Sequence, residues 1–423
     1  AQLFLGCLPK PRYATLTPFK DRAGQVLDEG IALYFPAPNS FTGEDVLELH
    51  AHGGPIVVDE IIKSAIQEGA RIAKPGEFSQ RAYLNQKIDL TQAEAIADLI
   101  QAQSVDAARS AIRSMQGDFS RLIHSLLKKI IKLRLYVEAA IDFPEEEIDF
   151  LSDNHVKNAL KEVVSDLQGV IETAKQGALL QEGLTVVLAG LPNAGKSSVL
   201  NRFTGDQTAI VTDVPGTTRD ILKMPINIDG LPLHIIDTAG LRSTENIVEK
   251  EGVRRAKNAI QTADLVLLIV DATMPSPPSL KEHLHALQLD DDVFSNKPVI
   301  VVNNKIDKAK KFSGLSEKAT KETFFVSAKT GEGFEELRDC LKKTIGFESR
   351  TQGVFIARRR HLDSLSRAFD SVNTGLNQLL VHKAGELLAQ DLLDAQQSLN
   401  EITGEYTSDD LLGEIFSSFC VGK

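Results

Sequence analysis

The most constraining stretch of the chain is Gly190-Leu191-Pro192-Asn193-Ala194-Gly195-Lys196-Ser197, which directly follows the apolar run Leu184 to Ala189. A tight glycine turn between an apolar strand and a helix reads as a phosphate-binding loop, and it commits this part of the chain to an α/β fold. Gly190 and Gly195 let successive backbone N–H groups converge on a β-phosphate, Lys196 reaches the β/γ oxygens, and the Ser197 hydroxyl can ligate Mg²⁺. Asn193, Ala194 and Ser198 complete the loop's contacts, and a helix expected from Ser198 onward adds the positive end of its dipole.

Downstream residues specify the base. Asn304-Lys305-Ile306-Asp307 closes the Val/Ile-rich run Pro298 to Asn303, which predicts a parallel strand delivering a ligand loop at its carboxyl end. The Asp307 carboxylate can accept from the N1 and N2 hydrogens of guanine, an arrangement adenine does not offer, so GTP is preferred over ATP. Ser327-Ala328-Lys329, after Thr323 to Val326, is similar to a second guanine loop, in which a backbone N–H meets O6.

Asp237-Thr238-Ala239-Gly240 ends the apolar run Leu231 to Ile236 and offers a carboxylate to the Mg²⁺ shell and a backbone N–H to the γ-phosphate. Asp229-Gly230 is a hairpin signal, which predicts Leu222 to Ile228 as the antiparallel partner of that strand. Gly216-Thr217-Thr218-Arg219-Asp220 places Thr218 to reach Mg²⁺ only when a γ-phosphate is present, which makes it a switch. Leu241 occupies the position where a Ras-like mechanism needs a Gln to orient water. Glu245, Glu249 and Glu251 are the nearby carboxylates in the polar stretch Arg242 to Glu251, and the residues alone do not choose among them.

With these residues the chain resembles the MnmE (TrmE) family of tRNA-modifying GTPases, and the likeness extends beyond the nucleotide motifs. Asn39-Ser40-Phe41-Thr42-Gly43-Glu44-Asp45, His52-Gly53-Gly54-Pro55, Pro75-Gly76-Glu77-Phe78 and the closing Phe419-Cys420-Val421-Gly422-Lys423 are similar to the family's signatures. Era-like GTPases share the nucleotide motifs but not these flanks.

The resemblance implies a K⁺ ion beside the β/γ-phosphates, held by the Asn193 side chain, the Thr212 and Val214 carbonyls and Thr217, in place of an arginine finger. A cation there would offset charge developing on the transferred phosphoryl group. It also implies Glu249 as the water-orienting carboxylate. Its folate, a 5-formyltetrahydrofolate or relative, is implied to contact Glu48, Lys87 and Lys423. A pterin suits a carboxylate across its donor edge and a folate tail suits cations. The family's opening glycine-rich strand and basic residue precede the point at which this sequence starts, Ala1-Gln2-Leu3-Phe4-Leu5, so the pocket and the N-terminal homodimer contact read here lack that segment. The family further implies tRNA as substrate, the flavoprotein MnmG (GidA) as partner, aminomethyl-type modification at C5 of wobble uridine, and a position near that centre for Cys420, where positioning is favoured over nucleophilic attack.

Across 423 residues, 47 Lys plus Arg stand against 58 Asp plus Glu, a formal charge of −11, which argues against broad nonspecific nucleic-acid binding and requires any tRNA contact to be local. Arg358-Arg359-Arg360 and Lys128, Lys129, Lys132 and Arg134 are the basic spots, read first as solvated helix faces. Three cysteines without metal-like spacing indicate a reducing compartment, and the lack of a membrane-length apolar run or a leader points to the cytoplasm. His50 and His52 have strand spacing for a metal pair but no evident third ligand, so ordinary packing is favoured.

The expected architecture is multidomain: an α/β P-loop GTPase domain inserted in an α-helical bundle and preceded by a small α+β N-terminal domain. The boundaries read as 1–86 for the folate-binding-like domain, 87–182 for the first helical part, 183–346 for the GTPase domain and 347–423 for the second helical part. Leu90, Ala93, Ala97 and Ile100 mark one helix face, as do Leu362, Leu365, Phe369, Val372, Leu376 and Leu379. Phe143-Pro144-Glu145 breaks the helical middle, and Thr407-Ser408-Asp409-Asp410 starts the last helix. Two other functions fit the residues: a regulatory Era-like GTPase of ribosome assembly, and a folate-dependent one-carbon transferase in which GTP is only a timer.

Overall fold

The computed structural model describes residues 2–142, 154–205, 223–237, 258–274, 297–309, 314–315, 323–347, 353–382, 385–405, 409–417, 419 and 422. Its contacts divide the chain into two compact units, one of 1–97, 114–164 and 367–423 and the other of 98–113 and 165–366.

The first unit opens with a three-stranded antiparallel sheet of β1 (Thr15–Lys20), β2 (Val26–Phe35) and β3 (Val46–His50), in spatial order β1-β2-β3. Phe4, Leu5, Phe19 and Ala32 form its core, covered by Ile61 and Ala65 of helix α2 (Pro55–Gln67). The α+β character expected for the N-terminal region therefore holds. Helical packing supplies the rest of the unit. Helix α6 (Asp118–Asp142) buries Phe119, Ile123, Leu126, Ile130, Leu133 and Val137, a three-four spacing, and packs along the helix Gly385–Thr403. That partner buries Leu388, Leu392, Ala395, Leu399 and Ile402 at the same rhythm. Each fully buried Leu or Ile stabilises by roughly 1.5–3 kcal/mol. Helix α6 stops at Asp142 and helix α7 (Asn154–Glu182) starts at Asn154, while the Phe143-Pro144-Glu145 break lies outside the described residues.

A second small core joins the segment that begins at Leu90 to the C-terminal helix. Leu90, Ala93 and Ala97 of helix α4 (Leu90–Gln101) pack with Ile415, Phe416 and Phe419, which end the helix Asp409–Ser417 and the turn after it. Gly76, at φ 64°, begins helix α3 (Glu77–Leu84), and an added Cβ would sit 2.7 Å from the Phe416 carbonyl oxygen. The Pro75-Gly76-Glu77-Phe78 signature thus seats the C-terminal helix. Ile100, expected on the buried face of α4, is instead 44% exposed. The covered stripe rotates through Glu94 and Asp98, polar residues that the apolar spacing did not reveal.

The second unit is built on a seven-stranded sheet in the order β5-β6-β4-β7-β8-β10-β9. Strands β6 (Leu231–Asp237), β4 (Leu184–Ala189), β7 (Leu265–Asp271), β8 (Val299–Asn304) and β10 (Thr323–Phe325) run parallel. Strands β5 (Lys223–Ile228) and β9 (Gly314–Leu315) add antiparallel edges. The β5-β6 hairpin turns through Asp229 and Gly230 at φ 51° and 95°, the left-handed pair that a two-residue loop requires.

Alternation along the central strands divides the core between the two faces of the sheet. Val186, Leu188, Leu265, Leu267 and Ile269 join one cluster, and Val187, Ala189, Val266, Leu268 and Val270 the other. Burial on both faces explains why these strands read as continuous apolar runs. It also leaves the carboxyl ends of the parallel strands as the natural place for a ligand.

Candidate nucleotide-binding site

Strand β4 ends at Ala189, and the chain turns at Gly190 with φ 148°. An added Cβ would lie 2.3 Å from the Ile269 carbonyl oxygen of β7, so only glycine lets the loop leave the sheet at this point. Gly195 is as constrained, at φ 95° with an added Cβ 2.3 Å from Asn304 Nδ2. Asn193 takes φ 62° without being glycine. Helix α8 (Lys196–Gly205) begins at Lys196, two residues earlier than the sequence suggests, and directs its first N–H groups toward the loop. Lys196 is 7% exposed. Its Nζ donates to the carbonyls of Gly190 at 2.8 Å and Leu191 at 3.0 Å, which folds the ammonium over the loop. Ser197 and Ser198 follow on the exposed first turn.

Asn304, buried at the end of β8, ties the loops together. Its Nδ2 donates to the Ala194 carbonyl at 3.2 Å, and its Oδ1 accepts from the Ala328 N–H at 3.0 Å. One side chain therefore links the phosphate loop to the Ser327-Ala328-Lys329 loop. The Ala328 N–H is engaged by this bond, and Lys329 is exposed. Buried Ser327 donates from Oγ to Asp307 Oδ1 at 2.9 Å and accepts from the Thr330 N–H at 3.2 Å. This holds the exposed Asp307 carboxylate at one oxygen while retaining acceptor capacity for a ligand.

Lys305, at φ 72°, reaches back across the site. Its Nζ donates to the Asn193 carbonyl at 2.5 Å and to Asp271 Oδ2 at 2.6 Å. Burial alone would raise the Asp271 carboxyl pKa; hydrogen bonds from Lys305 and Thr273 outweigh it and hold the group below its ordinary value. The sequence reading passes over Asp271. The available signal was an Asp at the carboxyl end of a central parallel strand.

Other expected residues fall elsewhere. Asp237 is the last residue of β6. Thr212, Val214, Thr217, Thr218, Thr238, Ala239, Gly240, Glu249, Cys420 and Lys423 lie outside the described residues. In the first unit Glu48, exposed on β3, meets His50 Nε2 at 3.1 Å, and exposed Lys87 donates to the Pro38 carbonyl at 2.8 Å. His52 pairs with Asp28 at 3.0 Å, and no group of three or more metal-ligand side chains occurs among the described residues.

A cleft of about 450 Å³ in the first unit is lined by Glu44, Arg71, Glu77, Phe78 and Arg81, and neither Glu48 nor Lys87 borders it. Arg71 at 2.5 Å, Arg81 at 2.6 Å and the Lys74 N–H at 2.8 Å hold the Glu77 carboxyl well below the usual carboxylate range.

Three residues of the basic spots pair with acids. Arg358 Nη2 meets Asp98 Oδ1 at 2.8 Å, with Gln181 on the same oxygen at 3.3 Å. Lys129 pairs with Glu162 at 2.6 Å and Arg134 with Glu138 at 3.4 Å. No helix among the described residues is long and apolar enough to cross a membrane.

Related proteins match the chain from end to end. The family described as the MnmE helical domain matches residues 90–420, and the one described as GTP-binding protein TrmE N-terminus matches residues 2–87. The tRNA modification GTPase MnmE of Coxiella burnetii (strain Dugway 5J108-111) is 57% identical over 425 residues, spanning 100% of this chain and 92% of that protein. Its counterpart from Pseudomonas syringae pv. tomato is 55% identical over 429 residues, spanning 100% and 93%. Among solved structures, the G domain of the T. maritima FeoB iron transporter is 29% identical with a TM-score of 0.27, covering 38% of this chain and 97% of that one. With end-to-end identity above half and both family regions in sequence order, the chain belongs to the MnmE family of tRNA modification GTPases.

Proposed function

We propose that this chain hydrolyses GTP with stimulation by K⁺ and takes part in C5 modification of the tRNA wobble uridine, using a folate one-carbon donor and the MnmG flavoprotein as partner. The observation that carries the nucleotide-binding part of the reading is the Asn304 bridge: a buried amide joins the phosphate loop to the base loops. Pre-set donors of this kind act on phosphoryl transfer by positioning and electrostatics.

The residue types suit the ions. Ser197, with Thr218 and Asp237, offers hard oxygens for Mg²⁺, whereas the Asn193 amide, the Thr212 and Val214 carbonyls and Thr217 offer neutral oxygens suited to a monovalent cation. When bound, the two cations supply positive charge to the transferring phosphoryl group and the leaving oxygen. Lys196 and the α8 N–H groups bind the β/γ oxygens, Asp307 selects guanine, and Glu249 orients the attacking water where Leu241 replaces Gln. Glu48, Lys87 and Lys423 hold the folate, and Cys420 stands near the modifying centre. The chain works as a cytoplasmic homodimer, with domains bounded near residues 86, 182 and 346. The Era-like ribosome-assembly alternative is not favoured, because the tRNA modification relatives match the flanks as well as the nucleotide loops.

Turnover measured with GTP and ATP, each in equal K⁺ and Na⁺ buffers, tests the reading. Hydrolysis of GTP should rise by about three orders of magnitude with K⁺, on the scale of a supplied arginine, and ATP should turn over negligibly. Equal rates in the two salts would remove the cation from the mechanism, and equal rates with the two nucleotides would remove the guanine site.

A further inference from the structure

Two residues of the nucleotide site adopt left-handed backbone conformations without being glycine: Asn193 in the phosphate loop at φ 62° and Lys305 in the base loop at φ 72°. Such conformations are unfavourable for a residue with a side chain and persist where surrounding bonds enforce them. Here each is bonded to the other, because Lys305 Nζ donates to the Asn193 carbonyl at 2.5 Å.

A lysine ammonium on a flexible stem does not hold a carbonyl unless something holds the ammonium. Asp271 does so, with Oδ2 2.6 Å from Lys305 Nζ. Its own carboxylate is locked in turn, since Oδ1 accepts from Thr273 Oγ1 at 2.7 Å and from the Thr273 N–H at 3.0 Å. The backbone is registered too: Asp271 lies opposite Asn304 across the β7-β8 ladder, and the Ala272 N–H donates to the Asn304 carbonyl at 2.9 Å. At 20% side-chain exposure for Asp271 and 27% for Lys305, the pair is shielded enough for its geometry to be specific.

We infer that Asp271 is a positioning residue of the nucleotide site, acting through Lys305 to fix the strained Asn193 turn and so to set both nucleotide retention and the response to the monovalent cation. The inference rests on the reading of the nucleotide site above and adds a residue that contacts neither phosphate nor base. The chain of action is Thr273 to Asp271 to Lys305 to the Asn193 carbonyl, which orients the amide assigned to the cation.

Fluorescent GDP binding and K⁺ titration of turnover on the full chain test this with Asp271→Asn, Lys305→Met and the double variant. Loss of one charge-assisted anchor should weaken GDP about tenfold and raise the K⁺ concentration for half-maximal turnover by a similar factor. For Asp271→Asn the turnover rate at saturating GTP and K⁺ should stay within about threefold of the parent, because no group assigned to the phosphates or the base is removed. In the Lys305→Met background Asp271→Asn should add nothing, whereas a merely structural carboxylate would add its full effect. Thr273→Ala, an exposed and milder change, should weaken GDP about two- to threefold.

Parental GDP affinity in Asp271→Asn, or additive losses in the double variant, would overturn the inference while leaving the nucleotide site in place. A parent chain that binds no guanine nucleotide would overturn both.

Discussion

In the nucleotide-binding region Asn304, Lys305 and Ser327 direct their polar groups at one another's loops, whereas Glu48 in the N-terminal region meets His50 two residues along and Lys87 caps the Pro38 carbonyl. The first arrangement ties its loops together through the protein's own bonds. The second has its proposed ligand residues exposed and engaged by neighbours, so binding there must exchange existing bonds for new ones. A preorganised site concentrates its sensitivity in single atoms; an exchanging site spreads it thinly.

The sharpest break of that contrast is at Asp307. Asp307→Asn keeps the shape and the bond from Ser327 but replaces an acceptor-only carboxylate with an amide that presents donors to the guanine donors. GTP affinity should fall on the order of a thousandfold, measured by competition against fluorescent GDP. A loss below about tenfold would mean that the base is read elsewhere, and the preorganised picture would fail.

Legibility in the sequence follows the same division. The phosphate loop, the Asn304–Asp307 loop and the β5-β6 hairpin were readable because each is a short run of consecutive residues whose types carry the role: glycines and Asp where the backbone turns sharply, Asn and Asp side chains where the base is read. Asp271 was not readable, since a single Asp after an apolar run has no local signature; its meaning comes from strand order, which places it opposite Asn304. Arg358 read as part of a solvated basic spot, but its guanidinium is on Asp98, 260 positions away, whose side chain is 3% exposed. Gly76 was recognised as part of a signature without its reason, which is the Phe416 carbonyl lying against it. Long-range pairing of charges and the docking of a terminal helix leave no periodicity in either partner.

The N-terminal unit does contain one self-bonded cluster, and it tests whether preorganisation alone marks a ligand site. Glu77 takes bonds from Arg71, Arg81 and the Lys74 N–H, and Arg81 also reaches Glu44 at 2.7 Å. Its carboxyl is depressed from an ordinary value of 4.5, so it contributes stability that is complete above that value. The contribution declines as pH falls below it and disappears once pH passes beneath the depressed folded value. Glu77→Gln should lower the thermal midpoint by roughly 5 °C between pH 6 and 8. The gap to the parent should narrow below about pH 4.5. A gap that widened on acidification would show that the carboxyl is not held ionised.

The smallest stability effect is expected at Lys87, and there the contrast between regions becomes a difference of kind. Its ammonium is exposed and replaces water on a single carbonyl, so Lys87→Ala should change folding stability by less than about 0.5 kcal/mol in denaturant titration. The same change should weaken binding of a reduced folate about tenfold, the scale of one lost charged contact. Glu77→Gln should show the reverse, with lowered stability and folate affinity near the parent's, since its cleft does not include Glu48 or Lys87. If Lys87→Ala instead destabilised the fold while Glu77→Gln abolished folate binding, the ligand would belong to the arginine-lined cleft, and preorganised bonding would be the better guide to function in both units.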